Sequence, residues 1–202
     1  MVPRGKFSVR PFRRFLPTLL FVSGAVSMLT AQFDVPLNRV EQDTKSADVR
    51  ELVSKYCRLD YEGARLDDRG WSKFEPLVSW RSNPEYAEIN VISRYTVDTE
   101  VVSSHGKHTV SVHYRLLGSY NLSTGYVREA PNTSQNVQYT VIDTNGEFRI
   151  SDAENTLPHP SRAAMLKWLN EKLAAAPEEP AKLRYQDALR QLQAQPASPF
   201  AK

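Results

Sequence analysis

The spacing of apolar residues divides the chain into a helical part, a long run of strands and a second helical part. Between residues 46 and 66, apolar side chains recur every three or four positions, which predicts a helix. Ser46 and Asp48 can cap its free amides and face the positive end of its dipole. Asp67-Asp68-Arg69-Gly70 would end it. A short second helix is predicted before Asn83-Pro84, carrying Trp71, Phe74, Leu77 and Trp80.

After residue 86 the period changes to two, which is typical of strands with one buried face. Strands are predicted over residues 87–103, 108–120, around 137–141, and 147–151. Asn145-Gly146 predicts a tight hairpin between the last two, because such a turn needs positive φ at both positions. On the first strand Ile89, Val91, Tyr95, Val97 and Val101 are predicted to point inward. Its opposite parity carries Glu88, Asn90, Arg94, Thr96, Asp98 and Glu100.

Two further helices are predicted after the strands, over residues 160–176 and about 181–194. Long antiparallel strands with one apolar face need a cover, which the N-terminal helices can supply. The predicted fold is therefore α+β: N-terminal helices packed on a curved antiparallel sheet of about four strands, followed by one or two C-terminal helices. We divide the chain into a leader (1–31), a connector (32–45), a single domain (46–176), and a C-terminal helix with a flexible tail (177–202).

The charge distribution argues against nucleic-acid binding. The chain has 26 Lys and Arg residues against 23 acids, but five of the basic residues and none of the acids lie in residues 1–31. The remainder is slightly acidic and lacks the basic surplus that phosphate contacts require.

The first 31 residues have the parts of a bacterial-type secretory signal. A basic stretch ends at Arg13-Arg14, an apolar run follows from Phe15 to about Leu29, and Ala31 offers a cleavage point before Gln32. The alternative is a retained anchor, although the run is shorter than a membrane span prefers. We expect an exported protein, periplasmic or extracellular, that touches a membrane only if the leader stays uncleaved.

The sequence predicts no metal site and no cofactor. Cys57 is the only cysteine and is interpreted as a small buried side chain. His105 and His108 have a spacing that ligands could have, but they lie in a Ser/Gly/Lys turn and are interpreted as a solvated loop tip. His113 is expected on the polar sheet face, and His159, between two prolines, is interpreted as a rigid link into the following helix.

The order of elements resembles the nuclear transport factor 2-like superfamily of cone-shaped α+β domains. The resemblance covers about residues 46–152 and rests on the stretch from Tyr56-Cys57-Arg58-Leu59-Asp60-Tyr61-Glu62-Gly63 through Gly70-Trp71 to Trp80, which is similar to uncharacterised bacterial exported members. The superfamily includes ketosteroid isomerases and polyketide cyclases. It implies a cone interior that can hold a ligand, but the fold hosts many functions.

If helices cover the apolar sheet face, the interior is lined by Tyr56, Asp60, Tyr95, Tyr114 and Tyr139, with Trp71 and Trp80 as further candidates. Converging phenols could orient a ligand, with Asp60 as a base. The alternative is that the tyrosines simply fill a core. The helical period also leaves open whether Asp60 or Leu59 points inward. The outward parity of Glu88, Asp98 and Glu100 argues against an acidic catalytic interior.

The expected function is that of an exported non-enzymatic domain that binds a small apolar ligand or an envelope partner protein. A cofactor-free isomerase or cyclase using Asp60 and the tyrosines is the alternative. An assembly protein would have a filled interior and a partner surface, for example the C-terminal helices around Trp168. The outward sheet face is interpreted as solvated or as a homodimer interface. It comprises Arg94, Thr96, Asp98, His113, Arg115, Gln138, Thr140 and Ile142.

Overall fold

A computed structural model of the chain describes residues 37–104, 107–130, 133–153 and 157–195. The predicted leader, the first part of the connector, His105 and the tail beyond residue 195 lie outside the described residues, as does the side chain of Glu100. Among the described helices, none combines the length and apolar character needed to cross a bilayer.

The first helix, α1, spans Leu37–Tyr61 and so begins within the segment predicted as a connector. It ends before residue 66 because Gly63 adopts a left-handed conformation with φ of 83°. A side chain at this position would also lie 2.9 Å from the Cβ of Ala164. Helix α1 buries Val49, Val53 and Tyr56 on the face that carries Asp60.

Two short 3-10 segments follow α1, the first within the range predicted for the first helix, and the predicted second helix through Trp80 is wrong because the chain continues in turns after Lys73. They span Ala64–Leu66 and Asp68–Lys73. Asp67 lies between them and accepts a hydrogen bond from the backbone N–H of Arg69, which fixes the start of the second segment.

The sheet is antiparallel and confirms the predicted α+β class. Its strands are β1 Glu88–Ser104, β2 Lys107–Asn121, β3 Val127–Glu129, β4 Ser134–Thr144 and β5 Glu147–Ala153. They are ordered β1-β2-β4-β5, and β3, which the sequence did not predict, pairs with the end of β2. The hairpin between β4 and β5 is confirmed, with φ of 58° at Asn145 and 87° at Gly146.

Irregularities in the β1–β2 pairing make the predicted inward set of β1 incomplete. The register shifts on both sides of Ile92, and adjacent residues Val91 and Ile92 are both fully buried. Ile92 belongs to a core under α1, whereas Val91 belongs to a second core under the C-terminal helices. Asn90, predicted to point outward, is only 7% exposed. Strict alternation cannot hold through bulges.

The C-terminal helices α2 (Arg162–Ala175) and α3 (Glu179–Ala194) form the second core. Ser161 caps α2 by accepting the Ala164 N–H. The core combines residues of both helices with residues of β1, β2 and β3, namely Ile89, Val91, Tyr120, Val127, Met165, Trp168, Leu169, Ala188, Leu189 and Leu192.

Chain segments outside the sheet pair with parts of both edge strands. On β1, the N–H groups of Asn90 and Ile92 donate to the carbonyls of Pro158 and Pro160, at 2.9 and 3.0 Å. On β5, Ile150 exchanges hydrogen bonds with the backbone of residues 77 and 79. The segment before α2 is therefore fixed against β1, and with it His159.

A glycine pair tests the packing of the 3-10 segments. A Cβ at Gly70 would lie 1.9 Å from the Ala64 carbonyl oxygen, so Gly70→Ala must displace backbone and should cost about 2 kcal/mol or more. Gly146→Ala is the matched control: it meets nothing within 4 Å and has only a positive φ, so about 1 kcal/mol is expected. Urea unfolding gives both values, and a Gly70→Ala loss no larger than the control's would contradict the described contact.

Candidate functional site

The predicted pocket is occupied by its own tyrosines. Tyr56, Tyr114 and Tyr139 are each 1% exposed. The Tyr114 and Tyr139 hydroxyls are 2.7 Å apart, and the Tyr139 ring lies 5.4 Å from that of Tyr56. None of these three side chains lines the four surface clefts of about 340 to 700 Å³ described below. This supports the interpretation in which the tyrosines fill a core.

Of the other predicted pocket residues, Trp71 belongs to this buried core, whereas Tyr95 and Trp80 lie at its margin. Tyr95 is half-buried, with its ring 6.3 Å from that of Tyr114. Trp71 stacks on Phe74 at 5.5 Å. Trp80 is half-buried beside Trp71 and borders a surface cleft of about 420 Å³. Trp71 lines none of the four clefts.

Asp60 points into the core and is 1% exposed, so the alternative in which it faces solvent is wrong. Its Oδ2 accepts the backbone N–H of His159 at 2.9 Å and lies 4.0 Å from Nη1 of Arg65. Its Oδ1 has no hydrogen-bond partner within the described part of the chain. A buried carboxylate is stabilised by such a donor and a nearby cation.

Arg65 supplies the cation and is itself 1% exposed. Its Nη1 donates to the Tyr56 hydroxyl at 3.2 Å and to the Leu157 carbonyl at 3.3 Å. Burial acts to lower the pKa of Arg65, but the negative charge of Asp60 raises it, and the net direction is upward. Arg65 therefore stays charged and joins α1 to the segment before α2.

His159 is fully buried, so it belongs to the core as well as linking strand to helix. Its ring stacks on Tyr114 at 4.0 Å, with 10° between the planes. Its Nε2 lies 3.2 Å from Oε1 of Gln135, which also accepts from Asn90 at 3.1 Å. Its Nδ1 lies 3.5 Å from Oδ2 of Asp60, in a geometry that makes no hydrogen bond.

The sequence did not mark Arg65, Asn90 or Gln135 as members of this buried network, and it marked His159 only as a link into α2. Arg65 was absent from every predicted set, and Asn90 lay on the outward parity. The one signal available was His159, because a histidine between two prolines sits in a stiff segment that can hold it in a defined place.

Burial keeps the hydroxyls and the thiol of this core neutral. It raises the pKa of Tyr114 and Tyr139 well above the usual value and that of the Cys57 thiol to about 12. The Cys57 sulfur lies 3.3 Å from the Tyr114 hydroxyl. At neutral pH these groups can therefore exchange hydrogen bonds, but they are not poised to ionise.

Of the remaining histidine predictions, the one for His108 is wrong and the one for His113 agrees with the structure. His108 is 8% exposed and meets the edge of Phe148 at 5.4 Å, so its interpretation as a solvated loop tip is wrong. His113 lies on the polar sheet face as predicted, 3.1 Å from Asp98, and both are nearly half exposed. No group of three metal-ligating side chains is found among the described residues.

The outward sheet face is polar, as the sequence indicates. Arg94, Thr96, His113 and Gln138 are exposed. Asp98, Arg115, Thr140 and Ile142 are half-buried. The homodimer interface proposed for this face stays a prediction.

A cleft of about 700 Å³ lies where the 3-10 segments meet α2. Trp168 lines it, and its indole N–H donates to the Leu66 carbonyl at 2.8 Å. The Arg65 carbonyl accepts from both Asn83 and Tyr86, at 3.0 and 3.1 Å. These side chains fix the cleft wall directly beside the buried network. Its charged rim consists of Asp67, Asp68, Arg69, Glu85, Glu171 and Lys172.

Comparisons with protein-family models, with curated proteins and with solved structures gave no match. The resemblance to the nuclear transport factor 2-like superfamily therefore stays a prediction from the residues that carry it.

We expect Asp60→Asn to destabilise the fold by about 3 kcal/mol, because it leaves the buried Arg65 cation without its carboxylate. The asparagine side chain can still accept the His159 N–H, so the loss of stability measures mainly the removal of the carboxylate charge. The control is Asp67→Asn, whose partner Arg69 is 89% exposed, and it should cost less than about 1 kcal/mol. Denaturant unfolding at neutral pH measures both, and equal small losses would refute a charged Asp60–Arg65 pair.

Stability should fall at alkaline pH. Cys57, Tyr114 and Tyr139 have raised pKa values in the folded state, so their contribution is complete below about pH 9, the ordinary thiol pKa of 9.0. It is lost as pH rises towards 12, by up to about 1.4 kcal/mol per unit for each group, because only the unfolded chain releases these protons. Urea unfolding between pH 7 and 10.5 tests this. Cys57→Ala should shift the onset to the ordinary tyrosine pKa of 10.0, and a flat profile would contradict the burial.

Proposed function

We propose that the chain is an exported, non-enzymatic binding domain that takes a segment of an envelope partner protein into the cleft beside Trp168. The observation that carries this proposal is that the interior of the fold is filled while a cleft stays open on its surface. The interior that a ligand would occupy is filled by Tyr56, Tyr114 and Tyr139, each 1% exposed, whereas a cleft of about 700 Å³ opens on the surface.

Burial of Asp60 supports a non-enzymatic role. A general base must reach a substrate proton within hydrogen-bond distance. Asp60 is 1% exposed, and its Oδ2 already accepts from His159. The Tyr114 and Tyr139 hydroxyls face each other at 2.7 Å. These groups hold the fold together, which favours the binding interpretation over the isomerase or cyclase.

The lining of the cleft favours a polypeptide over a small apolar ligand. Six of its thirteen lining residues are charged. Small-ligand pockets are usually enclosed and mostly apolar, while protein interfaces combine an aromatic centre with a polar rim. The edge of Trp168, which is 9% exposed, and the half-buried Tyr86 supply the aromatic part of the lining. Export follows from the leader, whose basic stretch and apolar run carry that part of the proposal.

Photo-crosslinking in cells producing the full chain tests this function. A benzoylphenylalanine placed at Ala175, which is exposed and lines the cleft, should give a protein adduct of defined mass in the envelope fraction. The same residue at Ala163, exposed on α2 outside the described clefts, is the matched control.

No adduct from Ala175, or the same adducts from Ala163, would contradict the proposal. Native mass spectrometry of the exported fraction adds an independent check. Stoichiometric retention of a small molecule there would favour the small-ligand alternative, and the same spectrum reports whether the leader is cleaved.

A further inference from the structure

The cleft beside Trp168 is the middle of a longer groove. It shares Leu66, Asp67, Arg69, Trp168 and Glu171 with a neighbouring cleft of about 340 Å³. On its other side it shares Glu85, Tyr86 and Leu122 with a cleft of about 420 Å³. We call this continuous surface the Trp168 groove. The two flanking clefts share no lining residue with each other, so the groove spans three adjoining clefts, which suits an extended polypeptide segment better than a compact ligand.

The groove carries both acidic and basic side chains, and these differ in whether they already have a partner within the chain. Its acids are Glu62, Asp67, Asp68, Glu85 and Glu171, and its bases are Arg69, Lys73, Lys167 and Lys172. Lys73 and Lys167 line only the small cleft at one end, and Lys167 lies 4.0 Å from Glu171. The middle and the other end carry four acids and two bases.

Both bases of that part are engaged within the chain. Arg69 is held by Asp67 through contacts of 2.7 and 3.1 Å, and these hydrogen bonds lower the pKa of Asp67 to about 2. At physiological pH both side chains are therefore charged, and the net charge of the Asp67–Arg69 pair is zero. Lys172 places its ammonium 5.4 Å from the centre of the Trp168 ring but keeps its positive charge there, so four acids against two bases leave this part of the groove with a net charge of −2.

Three exposed carboxylates remain for a partner. Asp68 and Glu85 have no ion-pair partner among the described residues. Glu171 has one, Lys167, whose ammonium lies 4.0 Å from its carboxylate. Tyr86 also lines the groove, and its hydroxyl donates to the Arg65 carbonyl at 3.1 Å. Lys and Arg side chains suit this surface, because an aliphatic stem can cover an aromatic ring while the head meets a carboxylate.

Resting on the proposed function, we infer that the Trp168 groove binds an extended partner segment that presents Lys or Arg side chains to Asp68, Glu85 and Glu171. The net negative charge that remains after pairing within the chain favours a positively charged partner segment. The fixed wall formed by Leu66, Tyr86 and Trp168 sets its path.

Fluorescence polarisation with two labelled peptides tests the partner's chemistry on the full chain. The probes are an eight-residue alternating Ala-Lys peptide and its Ala-Glu counterpart, at about 0.05 M salt, where screening is modest. The lysine peptide should bind and the glutamate peptide should not. The triple variant D68N/E85Q/E171Q should raise the Kd at least tenfold.

A matched triple variant separates groove binding from diffuse attraction. E51Q/E129Q/D152N removes the same charge from exposed positions outside the described clefts and should change the Kd less than twofold. Equal effects of the two triples, or no binding of the lysine peptide, would overturn the inference. If the Ala175 adduct contains a partner segment without Lys or Arg, the inference fails while the proposed function stands. Absence of that adduct removes the proposed function itself.

Discussion

The contact between Asp60 and the 157–161 segment, backed by the Arg65 cation, is the constraint on which the arrangement depends. Helix α1 delivers the carboxylate and the first 3-10 segment delivers the guanidinium. Asp60 accepts the His159 N–H at 2.9 Å, and Arg65 donates to the Leu157 carbonyl at 3.3 Å. Neither charge is tolerable alone in a core. The pair therefore requires the segment between β5 and α2 to lie against β1.

The position of the segment between β5 and α2 determines which parts of the fold are filled and which stay open. With His159 stacked on Tyr114 at 4.0 Å, the first core closes around its aromatic rings. The second core brings α2 towards the 3-10 segments, and the Trp168–Leu66 hydrogen bond fixes the groove wall at their meeting point. One network thus fills the interior and shapes the exterior groove, which is why the proposed binding surface lies outside the core.

The sequence predicts much of the secondary structure and little of the network. Alternation locates β1, β2, β4 and β5 because each buries apolar residues on a regular period, and Asn145-Gly146 marks the hairpin through its φ requirement. It cannot predict β3, which has only three residues. It places Asn90 on the wrong side because a bulge is invisible to a fixed period. Arg65 and His159 are placed by contacts with segments far along the chain, Leu157 for Arg65 and Asp60 for His159, which the spacing of apolar residues does not mark.

The separation between Asp60 and His159 also sets an order on folding. These two residues lie 99 positions apart, and the segment that carries His159 follows the last strand. A chain synthesised only as far as β5 would hold the Asp60 carboxylate and the Arg65 cation without the backbone groups that satisfy them. Its native core can close only after residue 159 has emerged. Long-range closure of this kind slows folding and leaves the growing chain open until this segment has been synthesised.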